Sequence, residues 1–253
     1  MEIPDSIRLP AQAILAVAES VWKRVFDRVM AMIFLAGSGL AFALGSNIEG
    51  NEFHVALVMI QVFVSLLVIL IGTTEIPRDM ATRNIQFFLS KPLGRGGYIM
   101  GKFVGVLILG ELILVAYMGC FAVGAALHGF GNGRELMVDG VRMILQLAAL
   151  SALLVGLSVI FPEVAATIFG VAFYIASFLS FILPSLVRQF LPGWISPVFL
   201  SVYYLVPNSY YYLWTLGDVP LGSFLFLLGV YSVAYCSIAL MVANLWFQRR
   251  DLN

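Results

Sequence analysis

The sequence predicts an all-α, polytopic membrane protein, one transmembrane domain over residues 1–253, and three observations carry that reading. Hydrophobic residues make up 61% of the chain and charged residues 11%, less than half of the ~25% usual in soluble proteins. The mean hydropathy of +0.99 exceeds what a single soluble core could hide from water. The charges cluster between long uncharged windows, each near the ~20 residues that a helix needs to cross ~30 Å of hydrocarbon. Fourteen basic and fourteen acidic side chains give zero formal net charge, which points to no nucleic-acid partner.

Residues 11–28 place Ile14, Ala18, Val21, Trp22, Val25 and Phe26 at helical spacing, opposite Glu19, Lys23, Arg24 and Asp27. That pattern predicts an amphipathic helix on the inner membrane surface, as an anchor or as a docking face for a partner. Six spans follow. Residues 29–48 and 53–74 carry no charge, 103–127 is interrupted only by Glu111, 143–162 lies between Arg142 and Glu163, the fifth span is 164–183, and the sixth lies within 219–248.

Two segments between spans carry structure of their own. From Arg78 to Ser90 the inner loop 75–102 reads as a short helix, stopped by Pro92 and followed by a turn over Gly94–Gly97. Gly101 and Gly105 then have the spacing of close helix packing. A helix held between two spans, with both apolar and charged groups, suits docking onto a cytosolic protein; a plain connector is the blander reading. The second segment, 184–218, is apolar and aromatic but broken by Pro184, Pro192, Pro197 and Pro207. It reads as a re-entrant outer segment, with a seventh crossing at 189–206 as the alternative.

Lysine and arginine set the orientation, because positive loops stay cytoplasmic. With both termini inside, inner segments hold eleven of the fourteen basic residues, leaving Arg134, Arg142 and Arg188 outside. The expected location is therefore the cell (inner, cytoplasmic) membrane, with the lipid bilayer as a partner. No basic stretch followed by an apolar one opens the chain, so no cleaved leader is expected and the mature chain is expected to start at or near Met1.

Catalytic and metal chemistry find little support. Gly96-x4-Gly101-Lys102-Phe103 imitates a phosphate-binding loop but lacks the Ser or Thr that would hold magnesium. Cys120 and Cys236 lie in apolar runs without a CxxC pair, and His54 and His128 sit at outer span ends. No Gly-x-Ser-x-Gly elbow is present, so no catalytic residue and no metal site are expected. Glu111 is the exception of interest: a carboxylate inside a span is costly and marks a possible translocation path, against the plainer role of a glutamate that reaches water or a neighbour near the inner interface. Arg142 and Glu163, at opposite ends of span four, read as boundary charges.

Glu75, the short loop helix, Leu89-Ser90-Lys91-Pro92-Leu93-Gly94-Arg95 and Gly101-Lys102 resemble the inner loop of ABC-2-type permeases, and Phe247-Gln248-Arg249-Arg250-Asp251-Leu252 resembles that family's usual ending. The likeness covers nearly the whole chain. It departs at Arg83-Asn84, where the family often has glycine and a small residue. The resemblance implies the membrane subunit of an ATP-binding-cassette exporter, not itself an enzyme, whose loop is a coupling helix seated in a groove of the ATPase. Glu75, Arg78, Asp79, Arg83, Phe87, Phe88, Lys91, Pro92 and Arg95 are then the ATPase-coupling residues. It further implies two ABC ATPase subunits as partners, a second permease copy or a homologous permease, and ATP with magnesium bound by the ATPase and no cofactor by this chain. Rival readings are an ion-coupled secondary transporter using Glu111 and Arg142, and a membrane scaffold of a cell-envelope machine. The apolar walls fit a lipid, a hydrophobic drug or a lipid-linked polymer equally, and no residue selects among them.

Overall fold

The computed structural model describes residues 14–22, 28–46, 53–82, 84–85, 94–129, 133–181, 207–209, 212 and 220–249, and every regular element among them is helical. Residues 14–22 form α1. The next helices are α2 (Arg28–Ser46), α3 (Phe53–Ala81), α4 (Arg95–Leu127), α5 (Gly133–Ile160) and α6 (Glu163–Phe178), which runs on into a 3-10 turn at Leu179–Phe181. The last, α7, is Leu221–Arg249.

Four of these, α3, α4, α5 and α7, are long and apolar enough to cross a membrane, and the chain is a multi-pass membrane protein. α2 and α6 occupy the positions of the expected first and fifth spans but are shorter: at 16 residues α6 measures ~24 Å against ~30 Å of hydrocarbon.

The centre is made by α3, α4 and α5. Val64, Val68 and Ile69 of α3, Val106 and Leu114 of α4, and Leu154 of α5 belong to one buried cluster. Small residues let the outer helices approach. α2 lies along α4 so closely that a Cβ on Gly124 would stand 2.6 Å from the Phe42 carbonyl oxygen. α1 packs on the other end of α4, where a Cβ on Gly101 would meet Val17 at 2.7 Å and one on Gly105 would meet Val21 at 2.8 Å. The pair expected to mediate close packing thus receives α1, whose Val17, Ala18 and Val21 are buried. α7 rests on α5 and on the start of α4, and leaves much of its apolar surface uncovered.

The structure moves three helix boundaries. α3 continues to Ala81 instead of stopping at residue 74, so Arg78, Asp79 and Met80 close α3 rather than opening a separate loop helix. α4 begins at Arg95 and not at 103, and α5 at Gly133 and not at 143. The reason is shared. Charges that end an uncharged window in the sequence are paired inside the fold, Lys102 with Glu75 and Asp79 and Arg142 with Asp139, so the helices run straight through them. α3 even carries Pro77 in its last turns, a residue that costs about 3 kcal/mol in a helix interior. Arg83, Phe87, Phe88, Lys91 and Pro92 lie outside the described residues, as does most of the expected re-entrant segment 184–218.

Candidate functional site

Where α3 ends, α4 begins and α1 crosses them, the fold buries a group of charges. Glu75 and Asp79 are one helical turn apart on α3, so both carboxylates face the same way. Opposite them Lys102 of α4 is fully buried, its Nζ 2.7 Å from Glu75 Oε2 and 2.9 Å from Asp79 Oδ2. An ammonium has three donors. The third points to Ser20 Oγ of α1 at 3.5 Å, and that hydroxyl donates in turn to the Val17 carbonyl at 2.6 Å. Tyr98, one turn before Lys102, donates its hydroxyl to Asp79 Oδ2 at 2.7 Å. One cation thus ties three helices together in a place closed to water. Removing either sign would strand the other as an uncompensated buried charge.

Arg95 works at the same end of the molecule. Its Nη1 donates to the carbonyls of Phe247 at 3.0 Å and Gln248 at 2.8 Å, satisfying two of the carbonyls that the last turn of α7 leaves without helical partners. Tyr98 stacks on Phe247, with ring centroids 5.9 Å apart. The start of α4 therefore holds the end of α3 through Lys102 and the end of α7 through Arg95. Arg78 is exposed on the last turn of α3.

Of the residues singled out in the sequence, Glu75, Asp79 and Arg95 meet around the first turns of α4. Glu75 and Asp79 are closed off from solvent. The sequence reading passed over Lys102 and Tyr98 as members of this group. The available signal was the Glu-x3-Asp spacing of 75 and 79 together with a lysine immediately before the next apolar window.

Glu111 lies on α4 well away from this cluster, and both its carboxylate oxygens are buried without a hydrogen-bond partner among the described residues. Arg142, read as a boundary charge, is instead buried, with its Nη1 3.1 Å from Asp139 Oδ1 and its guanidinium over the Phe224 ring. Glu163 is exposed in the first turn of α6. His54 stands 3.5 Å from Asp139 at the opposite end of the molecule from the Lys102 cluster. Among the described residues no three His, Cys, Asp or Glu side chains gather as a metal site would require.

A second polar knot lies toward that opposite end. Ser177 donates to the Pro207 carbonyl, Ser180 pairs with Asn208, and Gln146 Nε2 donates to Ser209 Oγ at 2.9 Å. The Asn208 amide donates to Tyr231 Oη at 3.1 Å, and Tyr212 pairs with Ser232 at 2.8 Å. The described part of the proline-rich segment is thus pinned to α5, α6 and α7 through buried hydroxyls and amides.

The two knots, one binding α1, α3, α4 and α7 and the other binding α5, α6 and α7, leave a bundle of apolar helices braced at both ends. No curated protein matches the chain at a significant level. A family model does: that of the ABC-2 family transporter protein matches residues 11–252, from before α1 to beyond the end of α7. That match takes in all but the first ten residues and the last one, and the chain belongs to the ABC-2 family of transporter proteins.

Proposed function

We propose that this chain is the membrane-spanning permease subunit of an ATP-driven exporter, and that a separate ABC ATPase binds ATP with magnesium and hydrolyses the ATP for it. Membership of the ABC-2 family supports a permease that works with such an ATPase. The observation that carries the reading is the buried Lys102–Glu75–Asp79 group, which makes the end of α3, the start of α4 and α1 a single body. A push on the loop joining α3 to α4 then moves helices and is not lost in loop bending.

In this reading the chain crosses the membrane six times with both termini in the cytoplasm, α2 and α6 supplying the first and fifth crossings. The coupling residues divide into two groups. Glu75, Asp79 and Arg95 hold the lever, while Arg78, Arg83, Phe87, Phe88, Lys91 and Pro92 meet the ATPase. Two such permeases, identical or homologous, work with two ATPase subunits, and the segment 184–218 closes the outer exit. The chain itself carries no catalytic step.

Purification from native membranes in mild detergent, with mass spectrometry of companions, tests this. A stoichiometric P-loop ATPase that is lost on charge reversal at Arg83 and Lys91 is the expected result. An intact preparation without any ATPase would contradict it. A second reading, an ion-coupled transporter, draws on the unpartnered Glu111 carboxylate. It requires that Glu111→Gln abolish a proton- or sodium-driven flux measured without ATP.

A further inference from the structure

Between the first turns of α4, the middle of α5 and the later half of α7 runs an apolar groove of ≈ 740 Å³. That volume falls in the roughly 300–1,000 Å³ range of ligand-sized sites. Ile99, Met100 and Phe103 form one wall, Ala148 the floor, and Val233 and Leu240 the other wall. It faces outward from the bundle, since its wall residues Met100 and Val233 are 41% and 65% exposed. In a protein that lives in a bilayer, this face is covered by something other than water.

Length, charge and polarity identify the occupant. Along α7 the lining extends from Ser232 to Asn244, about 18 Å at 1.5 Å per residue, close to the roughly 15 Å of one leaflet's hydrocarbon. At one end the groove reaches the charged end of the molecule. Asn244 there has a buried Oδ1 without a hydrogen-bond partner among the described residues, 3.3 Å from the place where Gly96 would carry a Cβ. One turn beyond, the half-buried Arg95 lies over the Phe247 ring. The rim is therefore cation and acceptor, and the groove below it is apolar apart from Ser232 and Ser237.

We infer that this groove is a binding site for a single membrane phospholipid of the leaflet that contacts the Lys102 end of the bundle. One acyl chain lies between α4 and α7, the phosphate sits by Arg95, and a headgroup ammonium or hydroxyl donates to Asn244 Oδ1. Such a lipid would wedge the start of α4 against α7, the two helices that Arg95 already joins. A bound lipid there ties the state of the bilayer to the element that the proposed function treats as the lever, and the site stands whether or not that reading does.

The test uses the full chain in nanodiscs of phosphatidylethanolamine and phosphatidylglycerol, released into detergent for native mass spectrometry. The wild-type chain is expected to retain one phospholipid per copy. Ser237→Trp, at an exposed position on the groove's edge, and Ala148→Trp, on its floor, should each lower retention about tenfold through lost methylene burial. Val230→Trp, exposed on α7 outside the groove, should leave retention unchanged and report folding. Equal retention by the wild-type chain and Ser237→Trp would overturn the site, as would a wild-type chain that holds no lipid. In a Cys120→Ala background, efficient crosslinking between the Cys236 thiols of two chains would also overturn it, because Cys236 lines the groove and a second copy would then be the occupant.

Discussion

Lys102 is the residue on which the charged end depends, because its ammonium has three partners on two other helices and no access to water. Lys102→Met leaves two carboxylates facing each other in a dry site and is expected to cost about 3–5 kcal/mol, seen as a lower unfolding midpoint in detergent. Arg78→Ala, one turn away but exposed, should change stability by less than about 0.5 kcal/mol. Arg95 acts on a different target. Its two bonds to the end of α7 are charge-assisted, the one to Phe247 half-buried and the one to Gln248 exposed, so Arg95→Ala should cost about 1–2 kcal/mol and speed amide exchange in the last turn of α7 while sparing α3. Equal exchange in both turns would show that Arg95 braces the bundle generally and not α7 alone.

Helix contacts here depend on small residues as much as on apolar ones. Where α2 meets α4, the Gly124 position leaves no room for a side chain, with Phe42 carbonyl oxygen and Ser46 nitrogen 2.6 and 3.0 Å from its would-be Cβ. Gly124→Val should separate the two helices and cost about 1–3 kcal/mol, whereas Gly119→Val on the same helix, facing open space, should cost under about 1 kcal/mol. A disulfide-trapping pair across α2 and α4 would report the separation directly. The helices themselves were legible in the sequence because uncharged windows near 20 residues are hard to produce otherwise. Their ends were less legible: a hydropathy reading stops at every charge, and it cannot see that Glu75 and Asp79 have Lys102 for a partner 23 residues or more along the chain. The same blindness placed Arg142 at a boundary when Asp139 and Phe224 bury it. The close pair Gly101 and Gly105 was readable as a packing motif, but not the identity of its partner, α1, since spacing marks a contact face without saying which helix fills it.

At the scale of the whole molecule, the bundle has a charged knot at one end, a hydroxyl and amide knot at the other, and an apolar middle between them. In the proposed function, an ATPase bound at one end changes access at the other by shifting this braced body as few rigid pieces. In the proposed function force enters at the loop joining α3 to α4, and the helix ends that flank it carry Glu75 and Asp79 on one side and Arg95 and Lys102 on the other. The most direct test of that account is the affinity of the partner ATPase for this chain in proteoliposomes, compared between wild type and the double variant Arg83→Glu with Lys91→Glu. Reversing two charges in a docking surface predicts a loss of at least about tenfold, with an unchanged melting temperature of the permease. An affinity equal to wild type would contradict the account and remove this loop from the coupling path.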